Sequence, residues 1–418
     1  MEQMPRSYDR VLELIKRGVD IPNPLTLDIG EEVDPNRISG KNVRIYPGCR
    51  IYGSQTVISR GSRLGYEGPV TIDNCQLGPD VELKAGFFSK SVFLAKANMG
   101  LGAQVREGCI LEEEANGAHC VGLKQTILFP FVTLGSLINF CDCLMAGGTS
   151  RKNHSEVGSS YIHFNYTPDG DKATPSLIGD VPRGVMLNQR PIFLGGQGGM
   201  VGPARMGYGN VVAAGSVLRN DILEDNRLVV GKTHHGKVVE FMARSFPNLT
   251  RIVRNNIIYL ANLKALEQWY LQVRRPFFEA QEMGSLVYEG ALDKIGLAKK
   301  ERIKRLEALA EMTIARTGNG NAAVQELAGG REFSERFYRI HDVFSEALGS
   351  EVVDRHKNDF LSSFEKLRGK APSDYISSIQ ALPSSVSGLG TSWLQTLVEA
   401  YTLKAQEVLP SLPLFERT

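Results

Sequence analysis

At 418 residues the chain is long enough for two or three domains, and 42% hydrophobic against 22% charged residues is the balance of a chain that builds sizeable cores. Its 48 basic and 46 acidic residues leave a formal charge of +2, which removes any electrostatic case for a nucleic-acid or membrane partner. The opening MEQMPRSYDR lacks the apolar core of a secretory signal, and no run of about 18 uncharged apolar residues occurs, so the expectation is a soluble cytoplasmic protein.

Residues 7 to 17 read as a short helix. Ser7 is placed to cap it, Tyr8, Val11, Leu12 and Ile15 share one face, and Gly18 can end it. The following IPNPLTLDIGEEVDPNRISG is punctuated by Pro and Gly and reads as a connection. From Val43 an apolar residue recurs every six positions: Ile45, Ile51 and Val57, then Leu64 and Val70 after a slip, then Leu77 and Leu83 after another. Met99, Val105 and Leu111 keep the beat, and so do Leu194, Met200, Met206, Val212 and Leu218. A period of six fits neither an amphipathic helix nor simple alternation, and is the signature of a hexapeptide-repeat β-helix. Each hexapeptide is one short strand and a corner, and stacked coils bury a column that a single coil cannot.

Between 112 and 190 the beat is broken by LEEEANGAHC, MAGGTSRKNHSEVGSS and NYTPDGDKATP, excursions of the kind that carry function on a rigid scaffold. After Leu218 the spacing becomes helical. Val253, Ile257 and Leu260 begin one long helix, KKERIKRLEALAEMTIAR forms another, and 332–348, 352–369 and 391–408 follow. The expected division is 1–39 as helix and connection, 40–235 as β-helix and 236–418 as an α-helical domain. That last domain is expected to cap the open end of the coil, to support oligomerisation, or both.

The run HFNYTPDGDKATPSLIGD, continued by IFLGGQGGMVGPARMGYGNVVAAGSVLRND, resembles the acetyltransferase domain of the bacterial bifunctional N-acetylglucosamine-1-phosphate uridyltransferases. That family's Asn-Tyr-Asp-Gly box, nearby lysine and Thr-x-Ile-Gly are echoed by Asn165, Tyr166, Asp169, Gly170, Lys172, Ile178 and Gly179. The resemblance implies a left-handed parallel β-helix, a homotrimer with sites between subunits, and acetyl transfer from acetyl-CoA to an amino-sugar phosphate. It places Asn165 and Tyr166 along the coenzyme, backbone groups of Gly196 and Ala214 on successive coils, and Lys232 near a coenzyme phosphate.

Such a transfer needs a base for the attacking amine, donors for the oxyanion and cations for the phosphate. The histidine expected as base is not at its place: counted back from Asn165 the position falls on Asp142, and read against LINFCDC it falls on Phe140. Thr167 and Pro168 also split the Asn-Tyr from the Asp-Gly. The nearest candidate bases are His154, flanked by Arg151 and Lys152, and His163, beside the box. His154 also reads as an ordinary surface-loop histidine, and His163 as one facing a neighbouring subunit or the groove between coils.

Arg151, Lys152, His163 and Lys172 are thus the candidate substrate-binding residues, with His154 and Asp142 the candidate catalytic ones. Cys49, Cys75, Cys109, Cys120, Cys141 and Cys143 contain no CxxC and read as reduced and mostly buried. Cys141 and Cys143 would share one face of a strand, and core packing is preferred to a metal site there. GKT at 231–233 is no P-loop, because position 226 is Asn where the motif needs Gly. The expectation is therefore an acetyl-CoA-dependent N-acyltransferase of an amino-sugar phosphate or nucleotide sugar, with no metal. The alternative is a non-catalytic sugar-nucleotide binding or scaffold protein that keeps the fold without the base. No Gly-rich nucleotide-binding unit precedes the repeats to support nucleotidyl transfer.

Overall fold

A computed structural model of the chain describes residues 5–167, 170–231, 238, 248–314, 324–368 and 374–415. Short parallel strands stack into a three-faced β-solenoid. Face A is a sheet of 10 strands from Arg44–Ile45 to Leu228–Val229, one strand per coil. Faces B and C share one sheet of 16 strands, because Gly122–Leu128 and Asn139–Met145 each run across both. Those two long strands turn the corner at Gln125 and Asp142, which adopt positive φ of 49° and 58°. Asn74, Lys90 and Gly108 occupy the same corner in earlier coils, also with positive φ.

The six-residue beat is the inward column. On face C, Ile58, Leu77, Phe93, Leu111, Leu128, Met145, Ile178 and Met206 stand in register, each fully or almost fully buried. Ile58, rather than Val57, is the residue in step there. Pairing also starts earlier than residue 40, with Asp28 and Ile29 opposite Arg50 and Ile51 and a bridge from Asp20 to Arg44. The Pro-rich connection therefore forms the first edge of the coil. Ahead of it, helix α1 (Tyr8–Lys16) buries Val11 and Leu14, while Ile15 is exposed and Gly18 ends the helix at φ 102°. Ser7 does not cap this helix; its hydroxyl donates to the Leu27 carbonyl at 3.1 Å and ties the helix to the coil.

The single turn α2 (Val181–Gly184) lies between coils. The helical region contains α3 (Leu249–Trp269), a π-turn at Tyr270–Arg274, α4 (Arg275–Glu279), α5 (Gly284–Ile314), α6 (Val324–Ser345), α7 (Glu351–Arg368), α8 (Tyr375–Gln380) and α9 (Ser384–Val408). The last helix begins earlier than the expected 391, and PSSVSGLGT lies almost wholly inside α9. Its Gly390 has no side chain because a Cβ there would meet Met186 Cε at 2.5 Å and Phe360 Cε2 at 2.9 Å. Trp269, Phe360 and Trp393 stack at the centre of this region, with centroids 5.7 and 5.8 Å apart along the stack.

These helices lie along face C, which differs from the expected cap over an open end. Helix α5 contacts the face C strands Gln76–Leu77, Ser91–Phe93 and Cys109–Leu111, and α3 contacts Ser176–Ile178. The outward ladder of this face, Val57, Gln76, Val92, Ile110, Ile127, Leu144 and Leu177, is buried and almost wholly apolar in consequence. A second attachment sits at the excursion after Leu111. Glu112 accepts from the Tyr270 hydroxyl, Glu113 meets Arg274 Nη2 at 2.5 Å, and the Arg274 guanidinium lies 3.8 Å from the centroid of Tyr375. Burial pushes the Glu112 carboxyl up to about 7, and the Arg274 charge only partly opposes this.

Candidate functional site

The strand Ile162–Phe164 alternates outward, inward, outward. His163 is in register with Met200, which stands over Leu218, so its ring lies in the apolar interior of the coil. This corrects the reading that it faces a neighbouring subunit or a groove. Phe140 packs edge-on against it at 6.1 Å, and Nε2 is 2.7 Å from Ser176 Oγ. Burial lowers its pKa to about 4, with the nearby Asp142 charge pulling the other way, so His163 is neutral at physiological pH and shut away from bulk water.

Asp142 stands at the B–C corner, 7% exposed. Arg302 of α5, itself 2% exposed, meets Oδ1 at 2.5 Å, and Asn165 Nδ2 donates to Oδ2 at 2.9 Å. The carboxylate at the expected histidine position is therefore a joint between coil, loop and helix, with little surface from which to take a proton. Phe140, the other residue weighed for that position, is an inward core residue without chemistry. Arg302 was invisible in the sequence, because KKERIKRLEALAEM shows only a charged face and nothing marks one of its cations as buried.

Asn165 opens an insertion between Phe164 and Ser176. Tyr166 is 62% exposed, and Lys172 Nζ lies 5.9 Å from the centre of its ring. The far end of the insertion is fixed by Asn256 of α3, whose amide donates to the Ala173 carbonyl at 2.9 Å. Asp169 and Pro168 lie outside the described residues, as does Lys232.

Gly196 and Ala214 occupy successive coils beside the A–B corner, whose Gln197 and Gly215 have φ of 51° and 72°. The backbones stack closely: a Cβ on Gly158 would come within 2.4 Å of Gly196 N, and one on Gly195 within 2.4 Å of Ala214 N. Between this corner and Asn165 runs the outer surface of face B, bearing the exposed Ile162, Phe164 and Val217. The bare Gly199 leaves room for the Phe164 ring, since its Cβ would lie 2.7 Å from Phe164 Cε2. Asn165, Tyr166 and Lys172 thus border one edge of this surface, with Gly196 and Ala214 on the other.

His154 is not brought to that surface. It sits on a hairpin, Gly148–Ser150 with Asn153–His154, at the C–A corner. There Arg151 Nη1 lies within hydrogen-bond distance of the carbonyls of Glu114 and Phe131 and of Thr133 Oγ1. Arg151 is consequently occupied in holding the hairpin, and Lys152 beside it is exposed. His154 Nδ1 is 2.9 Å from the Arg151 carbonyl, which can only accept, so Nδ1 donates there, and Nε2 lies 3.6 Å from Glu156 Oε2. The hairpin fixes the imidazole at the C–A corner, away from Asn165.

Cys141 and Cys143 do not share a face, because the corner at Asp142 falls between them. Both thiols are buried and free, and burial pushes both above the ordinary range. Cys120 is the exposed cysteine. Among the described residues no group of three or more His, Cys, Asp or Glu is placed to hold a metal, and no helix is long and apolar enough to cross a membrane.

Half of this chain is similar to proteins named bifunctional protein GlmU. The relative from Thermotoga maritima is 29% identical over 217 residues, covering 51% of this chain and 42% of its own length. That from Fervidobacterium nodosum is 29% identical over 217 residues, with 52% and 42% covered, and that from Pelobacter propionicus 28% over 211, with 50% and 40%. The chain thus spans about two-fifths of the length of these relatives. No family model matches it. The similarity and the β-solenoid agree with the hexapeptide-repeat resemblance read from the sequence.

Proposed function

We propose that this chain is an acyltransferase-like protein of the sugar-phosphate class, holding acetyl-CoA and an amino-sugar phosphate or nucleotide sugar across the outer surface of face B. The observation that carries the proposal is the pairing of the Asn165–Lys172 insertion with the close-stacked corner of Gly196 and Ala214, on coils of a chain half similar to the GlmU proteins. In this reading Asn165 and Tyr166 lie along the coenzyme, backbone groups near Gly196 and Ala214 receive its chain, Lys232 meets a coenzyme phosphate, and Lys172 meets the sugar phosphate. His154 is the oriented imidazole, and its corner reaches the Asn165 loop only if a second copy of the chain supplies it.

A homotrimer fits that requirement. The outward ladder of face A is polar from Arg44 through Thr133 and Glu156, then turns apolar at Phe193, Val211 and Leu228, all exposed in the single chain. Such a run is what association would cover.

The test is release of CoA from acetyl-CoA with glucosamine-1-phosphate or a UDP-amino sugar, alongside calorimetric binding of acetyl-CoA. Turnover that falls in both Asn165→Ala and His154→Ala, and returns when the two variants are mixed, is the expected result. Absence of both turnover and acetyl-CoA binding would sink the proposal. A second reading, binding without catalysis, is favoured by the engagement of Asp142 with Arg302. It predicts sugar-nucleotide binding with no turnover, and binding unaffected by His154→Ala.

A further inference from the structure

The outward ladder of face C is covered by helices and stays almost wholly apolar until its last rung. There Leu177 is followed in register by Arg205, a guanidinium only 19% exposed. Its carboxylate partner, Asp221, stands 3.5 Å from both Nε and Nη2, longer than the ~2.7–2.9 Å of a well-made charged hydrogen bond. Asp221 is shared besides: Arg251 Nη1 approaches it at 3.6 Å, and Asn255 Nδ2 donates to it at 2.9 Å. Arg205 Nε is buried with no hydrogen-bond partner among the described residues. Two arginines therefore divide one carboxylate, and one of them keeps an unused donor.

That donor belongs to a residue lining a cleft of 420 Å³ between the last coils and helices α3 and α9. The volume is within the range of small-molecule sites, and a junction between two structural units is where such sites form. The lining includes the apolar Met206, Leu177, Ile258, Val398 and Phe415, and carries the carboxylates Asp180 and Glu399 beside Arg183 and Arg205. Arg183, also in the lining, is already satisfied, meeting Asp180 at 2.7 Å and Asp225 at 2.6 Å. Arg205 is thus the cation of this lining whose ion pair is long and shared, and it lines the same cleft as the apolar residues.

We propose that this cleft binds a small amphipathic organic anion, its carboxylate or phosphate head on Arg205 and its apolar body between Met206, Ile258, Val398 and Phe415. It is separate from the surface bearing Asn165 and does not depend on the activity assigned there. Because the walls come from both coil and helices, the ligand braces the two against each other.

Calorimetry on the full chain with octyl phosphate, octanoate, inorganic phosphate and octylamine tests it. One octyl phosphate or octanoate per chain is expected to bind, with inorganic phosphate weaker and octylamine not binding. In Arg205→Met the affinity for both anions should fall roughly tenfold or more, the worth of a charged hydrogen bond. Thr402→Trp, which fills the cleft from α9, should abolish binding, and circular dichroism establishes that each variant is folded. If Arg205→Met does not fold, Thr402→Trp decides. Failure of both amphipathic anions to bind would overturn the proposal, as would undiminished binding in either folded variant. Octylamine binding as tightly as octanoate would overturn the head-group assignment, and inorganic phosphate as tight as octyl phosphate would overturn the role of the apolar walls.

Discussion

Where the helices meet the first broken coil, two glutamates face one arginine in a buried site, which makes the stability of the junction depend on pH. Glu113 is held at 2.5 Å by Arg274, and Glu112 has the Tyr270 hydroxyl and a more distant Arg274 Nη1 at 3.7 Å. Glu112 is therefore the member that keeps a proton, with its carboxyl raised from 4.5 to about 7. The folded chain binds this proton more tightly than the unfolded chain does. The contribution is complete below about pH 4.5 and is lost as the pH rises through 7. At ~1.4 kcal/mol per pH unit over a shift of roughly 2.5, the loss is about 3 kcal/mol. Glu112→Gln keeps the shape and the acceptor for Tyr270 while removing the charge. Its stability should lie within about 1 kcal/mol of the parent at pH 4.5 and exceed it by up to about 3 kcal/mol at pH 8. Urea unfolding followed by the buried Trp269 and Trp393 reports this junction directly, with the midpoint read at each pH. Glu113→Gln, which weakens the tight pair, should destabilise across the whole range. Parallel pH curves for Glu112→Gln and the parent would refute the reasoning, as would a Gln variant that is less stable at pH 8.

The other predictions concern the coil. Arg302→Ala leaves Asp142 buried without its cation and should cost about 3–5 kcal/mol in urea unfolding, whereas Arg302→Met combined with Asp142→Leu should recover most of it; a loss under about 1 kcal/mol would show that the pair is no joint. His163, depressed to about 4, contributes stability that is whole above its unfolded pKa near 6.5 and is lost as the pH falls through 4, about 3 kcal/mol in all. His163→Met should flatten that acid limb, and an unchanged limb would place the histidine elsewhere than the core. Phe193→Glu with Val211→Glu should lower the mass measured by light scattering if face A joins copies of the chain, and a monomeric parent removes the trimer.

The architecture was legible because its period is geometric. Leu194, Met200, Met206, Val212 and Leu218 point inward in the chain as spaced in the sequence; near Val57 one residue is added between Ile51 and Ile58, and after Leu64 the residue in step with Ile51 is Ile72 rather than Val70. The covering of face C carried a readable signal as well. SVF at 91–93, CIL at 109–111, TIL at 126–128, CLM at 143–145 and SLI at 176–178 are continuous, largely apolar strands, where an exposed face would alternate. Two-sided burial is what such runs imply, and the helices after residue 248 supply the second side. Cys141-x-Cys143 misled for the converse reason: alternation holds along a strand, and here a residue at positive φ turns the strand onto another face.

The candidate site was less legible because its decisive contacts join residues more than 100 positions apart. The absence of a histidine at the expected corner could be read by counting, but its replacement could not. Asp142 gains meaning only from Arg302, 160 residues later, and the two are paired with each other in a buried place. A carboxylate there without the helix would be an uncompensated charge, and the arginine without the coil would be one too. The two must therefore change together, so the helical region is bound to this corner of the coil by charge as well as by apolar area. That coupling sets the reactive possibilities of the surface beside it. With Asp142 closed by Arg302 and His163 enclosed in the core, the transfer proposed above would need its base from outside this corner, and His154 on the C–A edge would reach it only if copies of the chain associate.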